Sequence, residues 1–179
     1  MTTYIAFLRG INVSGQKKIK MADLRESLEQ HGFKNTKTYI QSGNIIVDWK
    51  PNKSKVLKTT IESILTADFG FEVPVLTRTP QEIHNILQGN PFKDQIAIKG
   101  LYFTLLEKKP STDRILAFKE LKFEHEDFCY TDECVYLNCK QGAGKAKLNN
   151  NLIENKLGVK ATTRNLNTML KMLELSGIN

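Results

Sequence analysis

The sequence has little of what would name a function outright. It holds three cysteines, five prolines and one tryptophan in 179 residues. Cys129, Cys134 and Cys139 are an odd set at even spacing, which fits neither a disulfide framework nor a Cys-x-x-Cys zinc knuckle, so they read as buried thiols of a reducing compartment. His31, His84 and His125 lie far apart and no His-Glu-x-x-His occurs, so neither a metal nor a cofactor is expected. No Gly-x-Ser-x-Gly is present, and no Cys, Ser or acid stands beside a His in a recognised nucleophile pattern. No apolar run approaches the ~20 residues of a membrane helix. Strand-like residues begin at Tyr4, which leaves no room for an export signal. A cytoplasmic protein without a membrane partner is therefore expected.

What is present is an ordinary globular composition, 40% hydrophobic and 25% charged. A chain of this size buries roughly 70% of its extended surface, enough for one sizeable core or two small ones. Lys and Arg number 26 against 19 Asp and Glu, a net charge of +7. The excess is concentrated at the ends: residues 1–50 carry eight basic and four acidic side chains, residues 140–179 seven and two, whereas residues 101–139 carry five and eight. A fold that joined the two ends would present a positive face to phosphates or nucleic acid.

Periodicity divides the chain into a repeating order of elements. The apolar run Tyr4–Arg9 reads as a buried strand ending at Gly10. Met21, Leu24 and Leu28 mark a helix to about His31, closed by Gly32 and Phe33. Residues 38–40 and 45–49 form a hairpin around Ser42, Gly43 and Asn44. A second helix, capped by Asn52, has the stripe Val56, Leu57, Ile61, Ile64 and Leu65 and ends at Gly70. A strand over 71–76 follows, pushed toward a sheet edge by Pro74. Thr79, Pro80 and Glu82 spell a capping box for the next helix. The second half repeats the theme with a strand over 101–106, a helix over 112–121, a hairpin over 128–139, a short helix over 151–157 and a final helix opened by Thr162, Thr163 and Arg164. The expectation is an α+β protein of two tandem ferredoxin-like (βαββα) subdomains, residues 1–78 and 79–179, the second with extra C-terminal helices, each with an antiparallel sheet and helices packed on its faces.

Chemistry concentrates in the connections. Arg9-Gly10-Ile11-Asn12-Val13-Ser14-Gly15-Gln16-Lys17-Lys18 leaves a strand and enters a helix, but Gln16 interrupts the Gly-Lys-Ser/Thr order of a phosphate-binding P-loop, so nucleotide hydrolysis of that type is excluded. Two glycines still allow backbone N–H groups to converge beside three cations. Thr162-Thr163-Arg164-Asn165 reads as a helix start that could hold an anion, and Lys145 and Lys147 lie in a basic loop upstream. Lys99-Gly100-Leu101-Tyr102-Phe103 lacks the aromatic pattern and strand position of an RNA-recognition motif.

In combination, Leu8-Arg9-Gly10-Ile11-Asn12-Val13 with Gly15, Thr38-Tyr39-Ile40 with Ser42-Gly43-Asn44, Asn90-Pro91-Phe92, Lys147-Leu148 with Asn150, and Thr162-Thr163-Arg164-Asn165 with Asn167-Thr168 resemble the family named domain of unknown function 1697. The resemblance spans nearly the whole chain and implies two related ferredoxin-like halves, with no established activity. Ser14 departs from the glycine common there, and Leu166 from an aromatic. The polar family positions Arg9, Asn12, Ser42, Asn44, Lys147, Arg164 and Asn167, together with Gly10, Gly15, Lys17, Lys18 and Thr163 from the two connections, are expected to bind an anion in a basic cleft between the halves. Three functions follow as expectations: a binding protein for a phosphorylated metabolite, nucleotide or nucleic-acid backbone; an enzyme acting on a phosphorylated small molecule; or an interaction module or structural dimer. Residue patterns alone select neither the ligand nor the oligomeric state.

Overall fold

The run Tyr4–Leu8 shows no helical period, and all five of its side chains are buried in the centre of β1 (Thr2–Leu8). The structure is a computed structural model and describes residues 1–50, 54–94 and 100–177. β1 pairs antiparallel with β3 (Asn44–Trp49) on one side and with β4 (Val75–Arg78) on the other, and β2 (Lys34–Tyr39) flanks β3, giving the order β2-β3-β1-β4. α1 (Met21–Gln30) and α2 (Ser54–Phe69) set Met21, Leu24, Leu28, Leu57, Ile61, Ile64 and Leu65 against Tyr4, Ala6, Leu8, Ile45 and Val47. Each fully buried Leu or Ile there contributes roughly 1.5–3 kcal/mol of transfer free energy. Val56, expected in the α2 stripe, is 47% exposed, because it lies a quarter-turn off the Leu57–Ile61–Ile64 line. The expected Asn52 cap and Lys99 lie outside the described residues. α1 closes as the sequence suggests: Gly32 has φ 88°, Phe33 N–H donates to Leu28 O at 3.1 Å, and the Phe33 ring stacks on Trp49 at 4.5 Å. β4 begins four residues later than expected, since Pro74 offers no ladder donor, and Val73 and Phe71 enter the core from a loop.

The same element order recurs in the second half. β5 (Leu101–Leu106), α4 (Thr112–Lys119), β6 (Glu126–Tyr130), β7 (Cys134–Cys139), α5 (Asn150–Leu157) and β8 (Ala161–Asn165) build an antiparallel sheet of order β6-β7-β5-β8. Its core gathers Leu106, Phe118, Val135, Leu137, Leu148, Ile153, Leu157 and Val159. α3 (Pro80–Gln88) precedes β5 and α6 (Leu166–Leu175) follows β8. The chain is thus a mixed α+β fold with two four-stranded antiparallel sheets and helices. It divides into two compact units, Met1–His84 with Leu170–Asn179, and Asn85–Met169.

Two expectations are corrected here. Thr162, Thr163 and Arg164 do not open a helix; they pair with Leu105, Thr104 and Phe103 as strand β8, where β-branched side chains are favoured, and Asn165 supplies the α6 cap by accepting from Thr168 N–H at 2.8 Å. Of the three cysteines only Cys134 and Cys139 are buried, whereas Cys129 is exposed; all three are free thiols. Among the described residues, no helix is long and apolar enough to cross a membrane.

Candidate functional site

In the first unit, the connection from β1 to α1 is pinned at both ends by buried Ile11 and Ile19. Between them the Asn12 side chain acts as a bracket: its Nδ2 donates to Ile19 O at 2.9 Å and to Gln41 O at 2.8 Å, while its Oδ1 accepts from Ile19 N–H at 2.9 Å. Asn12 N–H donates to Lys17 O at 3.1 Å, and Gln16 N–H to Val13 O at 3.0 Å, so residues 12–17 form a miniature ribbon around Ser14 and Gly15. Both turn residues have positive φ, 50° and 77°, the requirement of a type I′ turn. Two N–H groups on which an anion cradle would draw are therefore committed within the loop. Its cations remain on the surface: Lys18 and Lys20 are exposed, and Lys17 Nζ reaches Glu72 O. A Cβ on Gly15 would meet Lys18 Cε at 4.0 Å, so that lysine folds back along the turn.

The β2–β3 turn joins the same end of the sheet. Leu8 N–H donates to Gly43 O at 2.7 Å, and Gly43, at φ 76°, leaves no space for a side chain: a Cβ would stand 2.6 Å from Leu8 Cβ and 2.8 Å from Ile11 Cδ1. Asn44 is wholly buried and donates to Tyr39 O at 2.9 Å and Ser42 Oγ at 3.0 Å, which makes it the lock of its own turn. Ile40 has φ 49° and is 49% exposed. A β-branched residue in that region costs on the order of 1–3 kcal/mol, here without the burial that would offset it. Among the described residues, five non-glycine residues have positive φ, and four of them, Asn12, Ser14, Lys17 and Ile40, lie on these two bracketed loops. Arg9 N–H adds a bond to Pro74 O at 3.0 Å, drawing the α2–β4 connection to the same place. Of the sequence-expected residues, Arg9, Gly10, Asn12, Gly15, Lys17, Lys18, Ser42 and Asn44 thus belong to one loop cluster.

The second unit treats its candidates differently. Thr163 Oγ1 lies 2.8 Å from Thr104 Oγ1 and donates to Asn150 Oδ1 at 3.0 Å, so its hydroxyl belongs to a polar chain beneath α5. Arg164 donates to Thr162 Oγ1 and Thr163 O, both at 2.9 Å, and desolvation draws its guanidinium down to about 10, still charged at neutral pH. The backbone N–H groups of Lys147 and Leu148 form an anion site that the chain fills itself: both Glu126 carboxylate oxygens accept there, each at 2.7 Å. The Lys147 side chain and Asn167 are exposed. A hollow of about 170 Å³ lies beside this anchor, lined by His125, Glu126, Cys139, Lys145 and Lys147 among others. Burial, and next Glu126, push the Cys139 thiol up to about 11, so it stays protonated and is no nucleophile at neutral pH. Among the described residues, no group of His, Cys, Asp and Glu is arranged to hold a metal ion.

Sequence reasoning missed Gln41 and Glu126. Gln41 acts through its carbonyl and carries no side-chain signal, and Glu126 reaches its amides across 21 positions, a separation no local pattern reveals.

Comparison with known proteins bears on the fold. The model of a family described as a protein of unknown function, DUF1697, matches residues 1–136. The chain is similar to the structure of the conserved bacterial protein SP0830 from Streptococcus pneumoniae, with a TM-score of 0.74 and 20% identity over 98% of each chain, a likeness of fold alone. No curated protein matches it.

Proposed function

Because this chain belongs to the DUF1697 family, described as a protein of unknown function, we propose a function from its own geometry: it binds an anionic, phosphate-bearing ligand on the bracketed loops of the first unit. The observation that carries this reading is the Asn12 bracket, which holds two backbone-strained loops together under exposed cations. Residues 1–22 contain Arg9, Lys17, Lys18 and Lys20 and no acidic side chain. A micromolar ligand needs about 8 kcal/mol, and each charge-assisted hydrogen bond contributes roughly 1.5–3. About three to five such bonds are therefore needed, and the loops carry Arg9, Lys17, Lys18 and the Ser42 hydroxyl. In the second unit we assign structural roles to Thr163 and Arg164. We read each unit as ferredoxin-like, a reading supported by the repeated βαββαβ order and the two matching strand orders, with tandem subdomains over 1–78 and 79–179. The free thiols favour a cytoplasmic setting.

The test is a thermal-shift screen of inorganic phosphate, nucleotides and sugar phosphates. A ligand at a hundred times its Kd stabilises by about 2.7 kcal/mol, equivalent to roughly 5–10 °C for a chain of this size. The shift disappears in Arg9→Ala and Lys18→Ala. No shift from any phosphate compound, or an equal shift in both variants, rejects the proposal.

A further inference from the structure

The loop cluster carries more than charge. At the tip of the 12–17 ribbon Val13 is 59% exposed, and Ile40 in the β2–β3 turn is 49% exposed. The two are neighbours through the bracket, since Asn12, just before Val13, donates to Gln41 O, just after Ile40. Four cations, Arg9, Lys17, Lys18 and Lys20, belong to the same connection. Neither residues 9–20 nor residues 40–43 contain an aromatic ring or an acidic side chain.

We infer that this surface docks on a nucleic-acid duplex, with the cations on backbone phosphates and Val13 and Ile40 against sugar and base edges in a groove. The inference rests on the anion-binding reading and names its occupant. Proteins that grip a duplex mainly through phosphates commonly add small apolar wedges beside their cations. Single strands are held chiefly by stacking on aromatic rings, which these loops lack. Segments that enter a lipid interface present Trp, Phe or Leu, and here the apolar part is two short β-branched side chains on a locked backbone. Both loops are pre-shaped, Ser14 and Gly15 by the turn and Ile40 by its left-handed backbone, so docking orders little that is not already ordered.

The experiment is fluorescence anisotropy of the full chain with labelled duplex DNA and duplex RNA over a salt series. Two phosphate contacts, from the exposed Lys18 and Lys20, give a log–log salt slope of about 2. Lys18→Ala and Lys20→Ala each reduce it by about 1. Val13→Ser weakens binding roughly 3- to 10-fold through lost apolar contact, with the slope unchanged. Ile40→Asn separates docking from folding, because Asn tolerates the left-handed backbone: its melting temperature rises while its duplex affinity falls. If a phosphate compound still shifts the melting temperature and no duplex binds at low salt, the anion-binding reading stands and this inference is overturned. If Val13→Ser and Ile40→Asn bind as the parent does, the surface is only a polycation and the inference fails. Tighter binding to phosphatidylserine–phosphatidylcholine vesicles, lost in the same two variants, overturns it in favour of lipid.

Discussion

Three glycines with positive φ show how surroundings grade one backbone requirement. A Cβ at Gly10 (φ 73°) would meet nothing within 4 Å, at Gly158 (φ 66°) it would strike the Arg114 guanidinium at 2.8 Å, and at Gly43 (φ 76°) it would strike Leu8 Cβ at 2.6 Å. Alanine at Gly10 therefore costs only the left-handed backbone term, about 1 kcal/mol. At Gly158 the obstacle is the end of a flexible side chain, which can move but loses its bonds to Asn155 O and Lys156 O, for about 1–2 kcal/mol in all. At Gly43 the obstacle is a packed strand, so the loss is about 2–4 kcal/mol. Urea midpoints of the three variants should fall in that order; a Gly10 variant as unstable as the Gly43 variant would contradict it. Asn12→Ala removes all three bracket bonds and should lower stability by about 2–4 kcal/mol at roughly 1 kcal/mol each, while abolishing any phosphate-induced thermal shift.

Among the elements, α3 has the clearest start. Thr79 N–H donates to Glu82 Oε2 at 2.6 Å and Glu82 N–H to Thr79 Oγ1 at 3.2 Å, a complete capping box with Pro80 at the first helical position. Thr79→Ala should cost about 1 kcal/mol, seen as a lower melting temperature that Thr79→Ser largely restores; an unchanged melting temperature would show that the box is idle. This start was legible because its chemistry is local, as was the α1 closure at Gly32. Strand β8 was not legible. Its five residues are mostly polar, and what makes them a strand is the register with β5, above all the Thr104–Thr163 hydroxyl pair, which sequence places 59 positions apart. The candidate site divides the same way. Glycines and cations of the first loop could be read directly, whereas the bracket from Asn12 to Gln41 and the self-filled amide pair under Glu126 depend on partners that only folding brings near. Asn44 and Thr163, expected among the ligand contacts, hydrogen-bond within their own turn and sheet, because a polar side chain that folding covers must satisfy its surroundings.

At the scale of the molecule, pH acts through groups whose ionisation differs between folded and unfolded chains. Burial, and next Glu126, push Cys139 from 9.0 up to about 11, and burial pushes Tyr136, whose hydroxyl donates to Ile86 O at 3.1 Å, from 10.0 up to about 12. Both fold best as neutral acids, so their stabilisation is whole below pH 9.0 and is lost as pH rises toward 11 and 12. The melting temperature should drop between pH 9 and 11, and Cys139→Ala should flatten the early part of that fall; a flat parent profile would refute the assignment. In acid the sign reverses: the Asn35 amide, then the Thr3 hydroxyl, hold Asp48 below its ordinary 3.8, so its contribution is whole above that pH and is lost as pH falls below it through the lowered folded value. The division of the chain has a further effect. Leu170–Asn179 belongs with Met1–His84, and Lys37 Nζ donates to Leu175 O at 3.0 Å. During synthesis, then, Met1–His84 is made before the segment that completes its unit. A nascent chain truncated ahead of Leu170 should expose its opening domain to proteases and chaperones until that segment emerges and closes it.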